Sequence, residues 1–168
     1  MDLCFTQLRD AAVADIVALH NDADVRRHLP LAIGRFDAVT CRHWIDQKEA
    51  HWARHGYGPW AIVIGERFAG WGGLQNEDGD ADLALVLSPP FWGHGPAICH
   101  EILRIAFDEL GLASVTARLP ESRTRTRGLR RYGFRPDGLV AIDDIRFARF
   151  RRIAPERSRP FGFSAEPR

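Results

Sequence analysis

Lysine is almost missing: Lys48 is the only one in 168 residues, against 22 arginines. A GC-rich coding sequence explains such a bias without any function, although arginine also suits oxyanions, whose paired oxygens its planar fork grips together. Cysteine is scarce as well. Cys4, Cys41 and Cys99 are too few and too scattered for a disulfide framework or a zinc cluster, which points to a reducing, cytoplasmic setting. No apolar run approaches the roughly 18 residues that cross a bilayer, and residues 1–6 lack the basic and apolar regions of a signal peptide. Internal repeats and low-complexity blocks are absent. What remains, 45% hydrophobic and 27% charged residues, is the balance of an ordinary globular chain. The length predicts one domain over residues 1–152. Residues 153–168, with Pro155, Pro160 and Pro167, read as an irregular tail.

The net charge of +1 is unevenly spread. Up to Ala117, 16 acids face 8 arginines and one lysine, a balance of −7; from Arg118 onward, 14 arginines face 6 acids, a balance of +8. The asymmetry hints at a polyanionic ligand near the C-terminal third. A nucleic acid fits poorly, because aromatic residues do not interleave with the arginines as base stacking requires.

Residues 3–8 read as an opening strand, and Asp10 as the cap of a helix carrying Ile16 and Leu19. Asn21-Asp22 interrupts it before a second short helix over 25–29. Asp37 is placed to cap a third helix, over 38–54, which Gly56 stops. The pattern then becomes that of strands: 60–64, a turn at Gly65-Glu66-Arg67, 68–74, a polar turn over 76–79, and 82–87 ended by Pro89-Pro90. Ile98, Ile102, Ile105 and Leu110 have helical spacing over 97–110, with Gly111 as terminator. A strand over 114–119, a helix over 124–132 and one last strand over 140–150 complete an α/β domain.

The informative stretch is Ser88-Pro89-Pro90-Phe91-Trp92-Gly93-His94-Gly95-Pro96-Ala97, between a strand and a helix. A glycine-containing turn entering a helix offers backbone N–H groups and the positive end of the helix dipole to a phosphate. Pro96 suits the first helical turn but cannot itself donate. Alone this is a weak signal, equally at home in an ordinary strand-to-helix connection.

Other motifs accompany it in order: Leu8-Arg9 with Asp15; Asp24-Val25-Arg26-Arg27-His28-Leu29-Pro30; Trp60-Ala61-Ile62-Val63 leading to Gly70; and Leu87-Ser88-Pro89 before Trp92-Gly93. Ala106-Phe107 with Leu110-Gly111-Leu112 follows, then Leu129-Arg130-Arg131-Tyr132-Gly133-Phe134-Arg135 with Gly138. Together they resemble the GNAT superfamily of acyl-CoA-dependent N-acyltransferases, nearest the branch of the ribosomal-protein N-terminal acetyltransferases (RimJ/RimL-type), over residues 3–150. The resemblance implies a mixed sheet of about six to seven strands, splayed in the middle, with helices on both faces. It also implies acetyl transfer from acetyl-CoA to a primary amine, on a small molecule or a protein N-terminus, by direct attack in a ternary complex. Neither metal, DNA nor membrane belongs to that reading, and a homodimer is compatible with it.

By the same resemblance, backbone groups of Leu85, Val86 and Leu87 would hold the pantetheine arm. Trp92, Gly93, His94, Gly95, Pro96, Ala97 and Ile98 would hold the pyrophosphate, with Trp92 where the family carries Arg or Gln. Arg123, Arg125, Arg127 and Arg130 would face the 3′-phosphate. An oxyanion would be met by a backbone N–H near Val86. Asp82 stands where this branch commonly has an acid and is the candidate base; Glu77, Asp78 and Asp80 are neighbouring acids. The family's acid tyrosine is replaced by Leu129. The branch's Asn-x-x-Ser positions are Ser122 and Arg125, so Ser122 is the candidate acid and both are candidates for cofactor contact. Cys99 and Tyr132 read as packing residues, not as nucleophile and acid. Trp44, Trp52 and the loop over 29–36 would frame the acceptor, and the acidic N-terminal part favours a cationic one. His51 and His55, four apart on one helix, lack the third ligand a metal needs. The altered acid positions also fit a different class, a CoA-binding sensor or interaction module with little catalysis.

Overall fold

The computed structural model describes residues 2–32, 34–121 and 127–156. Its seven strands are β1 (Leu3–Thr6), β2 (Pro59–Ile64), β3 (Arg67–Glu77), β4 (Asp80–Leu87), β5 (Ser114–Pro120), β6 (Arg135–Ile142) and β7 (Ile145–Ile153). They form one sheet in the order β1-β2-β3-β4-β5-β7-β6. All neighbours are antiparallel except β4 and β5. The helices are α1 (Val13–Asn21), α2 (Ala23–Arg26), α3 (Ala38–His55), α4 (Gly95–Arg104) and α5 (Arg127–Arg131).

Alternation along the strands sends neighbouring side chains to opposite faces, and each face builds its own core. Ile62, Leu74 and Leu87 pack with Ile98, Ile102 and Leu103 of α4. Ala61, Trp71 and Val86 pack with Ile16 and Leu19 of α1, Val25 of α2, and Cys41 and Ile45 of α3. Helices therefore cover both faces of an α/β sheet.

Local signals place most boundaries. The Asp37 carboxylate accepts the Thr40 N–H at 2.8 Å, and Gly56 ends α3 at φ 72°. Asp10 caps nothing: it lies in a 3-10 turn, and Ala12 precedes α1 without a side-chain cap. The opening strand is correspondingly shorter than residues 3–8. The helix predicted over 97–110 begins at Gly95 and widens into a π turn over Ile105–Glu109, which Gly111 follows at φ 64°. The predicted single last strand is two, folded back at Asp143 and Asp144 with φ 48° and 62°. Aspartate tolerates that left-handed geometry, but without glycine the turn gave no local sign of itself.

The charge asymmetry also takes a different meaning. Arg151 on β7 grips both carboxylate oxygens of Asp80, at 2.7 and 2.9 Å, and reaches Ser114 Oγ and Asp137. Arg149 pairs with Asp137, and Arg118 on β5 faces Glu77, Asp78 and Asp82. Two of the C-terminal arginines, Arg118 and Arg151, thus answer acids of the N-terminal part across the sheet.

Candidate active site

The site begins where two strands part. β4 and β5 share one ladder pair, Asp82 with Thr116. Beyond it, Leu83–Val86 and residues 117–120 face a cavity of about 750 Å³. That is ample for a small-molecule site. Gly70 of β3 holds β4 in place: a Cβ there would lie 2.1 Å from the Val86 carbonyl oxygen and 2.8 Å from Leu87 Cα, with φ already at 151°. Only glycine permits this approach.

Asp82 sits at the opening, 8% exposed and lining the cavity. Thr116 Oγ1 donates to its Oδ1 at 2.7 Å, and Arg118 Nε lies 3.7 Å from the same oxygen. Burial raises the Asp82 pKa to about 6; the Thr116 bond and the Arg118 charge oppose that rise, while Glu77 and Asp80 add to it. A carboxylate with this value is ionised at neutral pH yet basic enough to take a proton. Arg118 is itself buried, and its Nε has no hydrogen-bond partner. Neither Thr116 nor Arg118 was singled out for this site from the sequence; both depend on a pairing between residues 34 to 36 positions apart, which no local pattern encodes.

On the α1 to α3 side, Asn21 pins the loop by exchanging hydrogen bonds with the backbone of Phe36. Phe36 stacks on His20 at 4.1 Å, and Trp44 meets Trp71 edge-on at 5.2 Å. The Trp71 indole donates to His20 Nε2 at 3.0 Å. Burial, with the charges of Lys48 and Arg26, lowers the His20 pKa to about 4, so the ring is neutral at physiological pH. These four rings line the cavity together with parts of the loop over 29–36. Trp52 does not join them: it packs on Trp60 and donates to the Pro59 carbonyl.

On the other side, Pro96, Cys99 and Tyr132 also line the cavity. Burial pushes the Cys99 thiol up to about 11 and raises the Tyr132 hydroxyl, so neither is an activated group. Trp92, Gly93 and His94 lie in a 3-10 turn leading into α4, whose first residues are Gly95, Pro96, Ala97 and Ile98; no side chain caps that helix. A Cβ on Gly93 would meet nothing within 4 Å, so the turn is open on that side. The Trp92 indole donates to the Leu87 carbonyl at 2.8 Å. A second hollow of about 270 Å³ adjoins it, lined by His28, Leu29, Leu85, Val86, Leu87 and Gly95 among others.

Of the remaining predicted residues, Glu77 also lines the cavity, and the other described ones lie apart. Asp80 is held by Arg151, and Glu77 and Asp78 flank Arg118. His51 bonds the Tyr57 carbonyl and the Asn76 N–H through its two nitrogens, leaving it no lone pair for a metal. Arg127 and Arg130 are exposed on α5. Ser122, Arg123 and Arg125 fall outside the described residues.

A mixed sheet parted at its one parallel pair among the described residues, with a cavity in the gap and a helix N-terminus beside it, is the GNAT architecture that the resemblance implied. The acetyltransferase (GNAT) domain family matches residues 2–135, and the chain belongs to that family. Solved structures agree on the fold. An acetyltransferase from Agrobacterium tumefaciens aligns with a TM-score of 0.71 at 18% identity, over 89% of either chain. A GNAT-family acetyltransferase from Bacillus anthracis gives 0.71 at 16%, over 91% of this chain and 95% of that one. The aminoglycoside acetyltransferase AAC(6')-Ib, in complex with ribostamycin and coenzyme A, gives 0.72 at 12%, over 90% and 92%.

Proposed function

We propose that the protein transfers an acetyl group from acetyl-CoA to a primary amine, with Asp82 as the base. The observation that carries this reading is a buried carboxylate, tuned towards neutrality, at the last paired step before β4 and β5 open into the cavity. The residues present fit acetyl-CoA. The carbonyls of Ala84 and Val86 face β3, where they crowd any Cβ on Gly72 and Gly70. In an extended strand the N–H and C=O of one residue point the same way. The backbones of Leu85 and Leu87 are therefore the ones turned towards the gap, to receive the pantetheine arm, and Leu85, next to Val86, would donate to the developing oxyanion. Gly93 and residues 95–98 would cradle the pyrophosphate, and Arg127 and Arg130, with Arg123 and Arg125, would meet the 3′-phosphate. Acetyl-CoA supplies an activated thioester carbonyl.

Thr116 already bonds Oδ1 of Asp82, so Oδ2 takes the proton from the incoming ammonium. The neutral nitrogen bonds to the acetyl carbon and the carbon–sulfur bond breaks. A second proton leaves the nitrogen for the departing sulfur, with Ser122 as the candidate relay, and Asp82 returns its proton to solvent. Alignment in the cavity supplies much of the rate.

The test is calorimetric titration with acetyl-CoA, CoA and dephospho-CoA, followed by release of CoA thiol in the presence of amines. Tight binding of the first two, weakened without the 3′-phosphate, together with amine-dependent thiol release, supports the reading. Binding without thiol release from any amine supports the alternative, a CoA-binding sensor, which the Leu129 replacement favours.

A further inference from the structure

We infer that the acceptor is a primary amine bearing a single positive charge on a flat, apolar body, seated against the aromatic wall with its nitrogen at Asp82. The inference rests on the transfer reading above. The wall is assembled from three elements: Phe36 from the loop, Trp44 from α3 and Trp71 from β3. Its rings are set by one another, Phe36 and Trp44 at 6.2 Å and 82°, Trp44 and Trp71 at 5.2 Å and 61°. It also carries no charge of its own, because His20 accepts the Trp71 N–H through an unprotonated Nε2.

An aromatic wall can equally well receive a cation, but here that role is filled. The Lys48 ammonium lies 5.6 Å from the Trp44 centroid and bonds Gln75, the cross-strand partner of Asp82. The charged groups that line the cavity point the same way. Arg26, Arg35 and Arg118 stand against Glu77 and Asp82, and both acids flank Arg118 at 3.7 Å. One ammonium can be discharged at Asp82. A second would meet arginines on the loop and β5, with like-charge repulsion in a partly desolvated space. An apolar body instead removes from water the ring surface that lines the cavity, which is favourable in proportion to the area covered. The polycationic acceptor class is therefore excluded by this cavity, despite the acidic N-terminal part.

The experiment measures thiol release at saturating acetyl-CoA with 2-phenylethylamine, tryptamine, n-butylamine, spermidine, kanamycin and a short basic peptide. The expected result is a kcat/KM for the two aryl amines at least about tenfold above every other acceptor, the gain from burying a ring. In Trp44→Ala the ratio of 2-phenylethylamine to n-butylamine should fall about tenfold; a ratio is insensitive to any general loss of folded enzyme. Preference for spermidine, kanamycin or the peptide, or an unchanged ratio in Trp44→Ala, overturns the inference and leaves the transfer reading standing. Failure of every amine to release thiol overturns both.

Discussion

At the start of β4 and β5, Arg151 reaches across from β7 to clasp Asp80, Asp137 and Ser114, and every polar group of that cluster has a partner. Further along the same two strands, Asp82 is buried with one strong hydrogen bond, Arg118 has an unpartnered Nε, and the backbone opens on a cavity. The first end is satisfied and the second is not. Paired charges with good geometry stabilise a fold, whereas a desolvated acid and an orphaned donor cost free energy. Under the proposed mechanism, stability and chemistry are thus separated along one strand pair, a few residues apart. Unsatisfied groups of this kind cluster at functional sites.

Substitutions at four positions probe that contrast. The largest effect is expected from Asp82→Asn. Loss of the base should cut kcat about 10²- to 10⁴-fold at neutral pH and abolish the acid limb of the rate profile. Stability should move the other way. Burial raises the folded-state pKa from 3.8 to about 6. The neutral acid is then the form the fold prefers, and the contribution is whole below about pH 4 and lost as pH rises through 6. At pH 8 the asparagine variant should be more stable by at most about 3 kcal/mol, the gap closing towards pH 4 in urea titrations.

Gly70→Ala should follow, at about 2–4 kcal/mol in calorimetric melting, because its Cβ would collide with the Val86 carbonyl. The same variant should weaken acetyl-CoA binding by displacing β4 at the open end. Arg151→Ala attacks the closed end instead, and about 1–2 kcal/mol should be lost at pH 7. The Arg151 hydrogen bonds hold Asp80 below the usual carboxylate range. Stability from that pair is present at neutral pH and lost as pH falls, so parent and variant should converge below about pH 4. Retained kcat in Arg151→Ala would sharpen the separation, and a loss as large as that of Asp82→Asn would break it.

The smallest shift is expected from Thr116→Val. Without its hydroxyl the ionised form of Asp82 loses a hydrogen bond, and the Asp82 midpoint should rise by about one pH unit, followed by carboxyl ¹³C NMR. Arg118, Glu77 and Asp80 still face the group in that variant, so the change isolates the hydroxyl. Thr116→Ser should restore the parent value; a midpoint unmoved in Thr116→Val would remove Thr116 from the proton-transfer scheme.

Most local signals in the sequence held, Asp10 being the exception. Asp37 and Gly56 bound α3, the glycine turns bound β2 to β4, and the stretch from Ser88 to Ala97 joins a strand to a helix as its residues imply. The order of these motifs gave the family, and through that resemblance pointed to Asp82 as a candidate. The Asp143-Asp144 turn was not, since two aspartates with positive φ look like any polar pair within an apolar run. The tertiary structure alone decided what surrounds Asp82: Thr116 and Arg118 come from a strand that only the parallel crossover brings alongside. The resemblance pointed to Trp44 and the loop over 29–36, but the tertiary structure alone brought His20 and Trp71 into the same wall and left Trp52 on another surface. Periodicity records which face of an element is apolar, and caps record where an element ends. Burial, and with it the protonation of a carboxylate or an imidazole, is a property of neighbours that the chain meets only once folded.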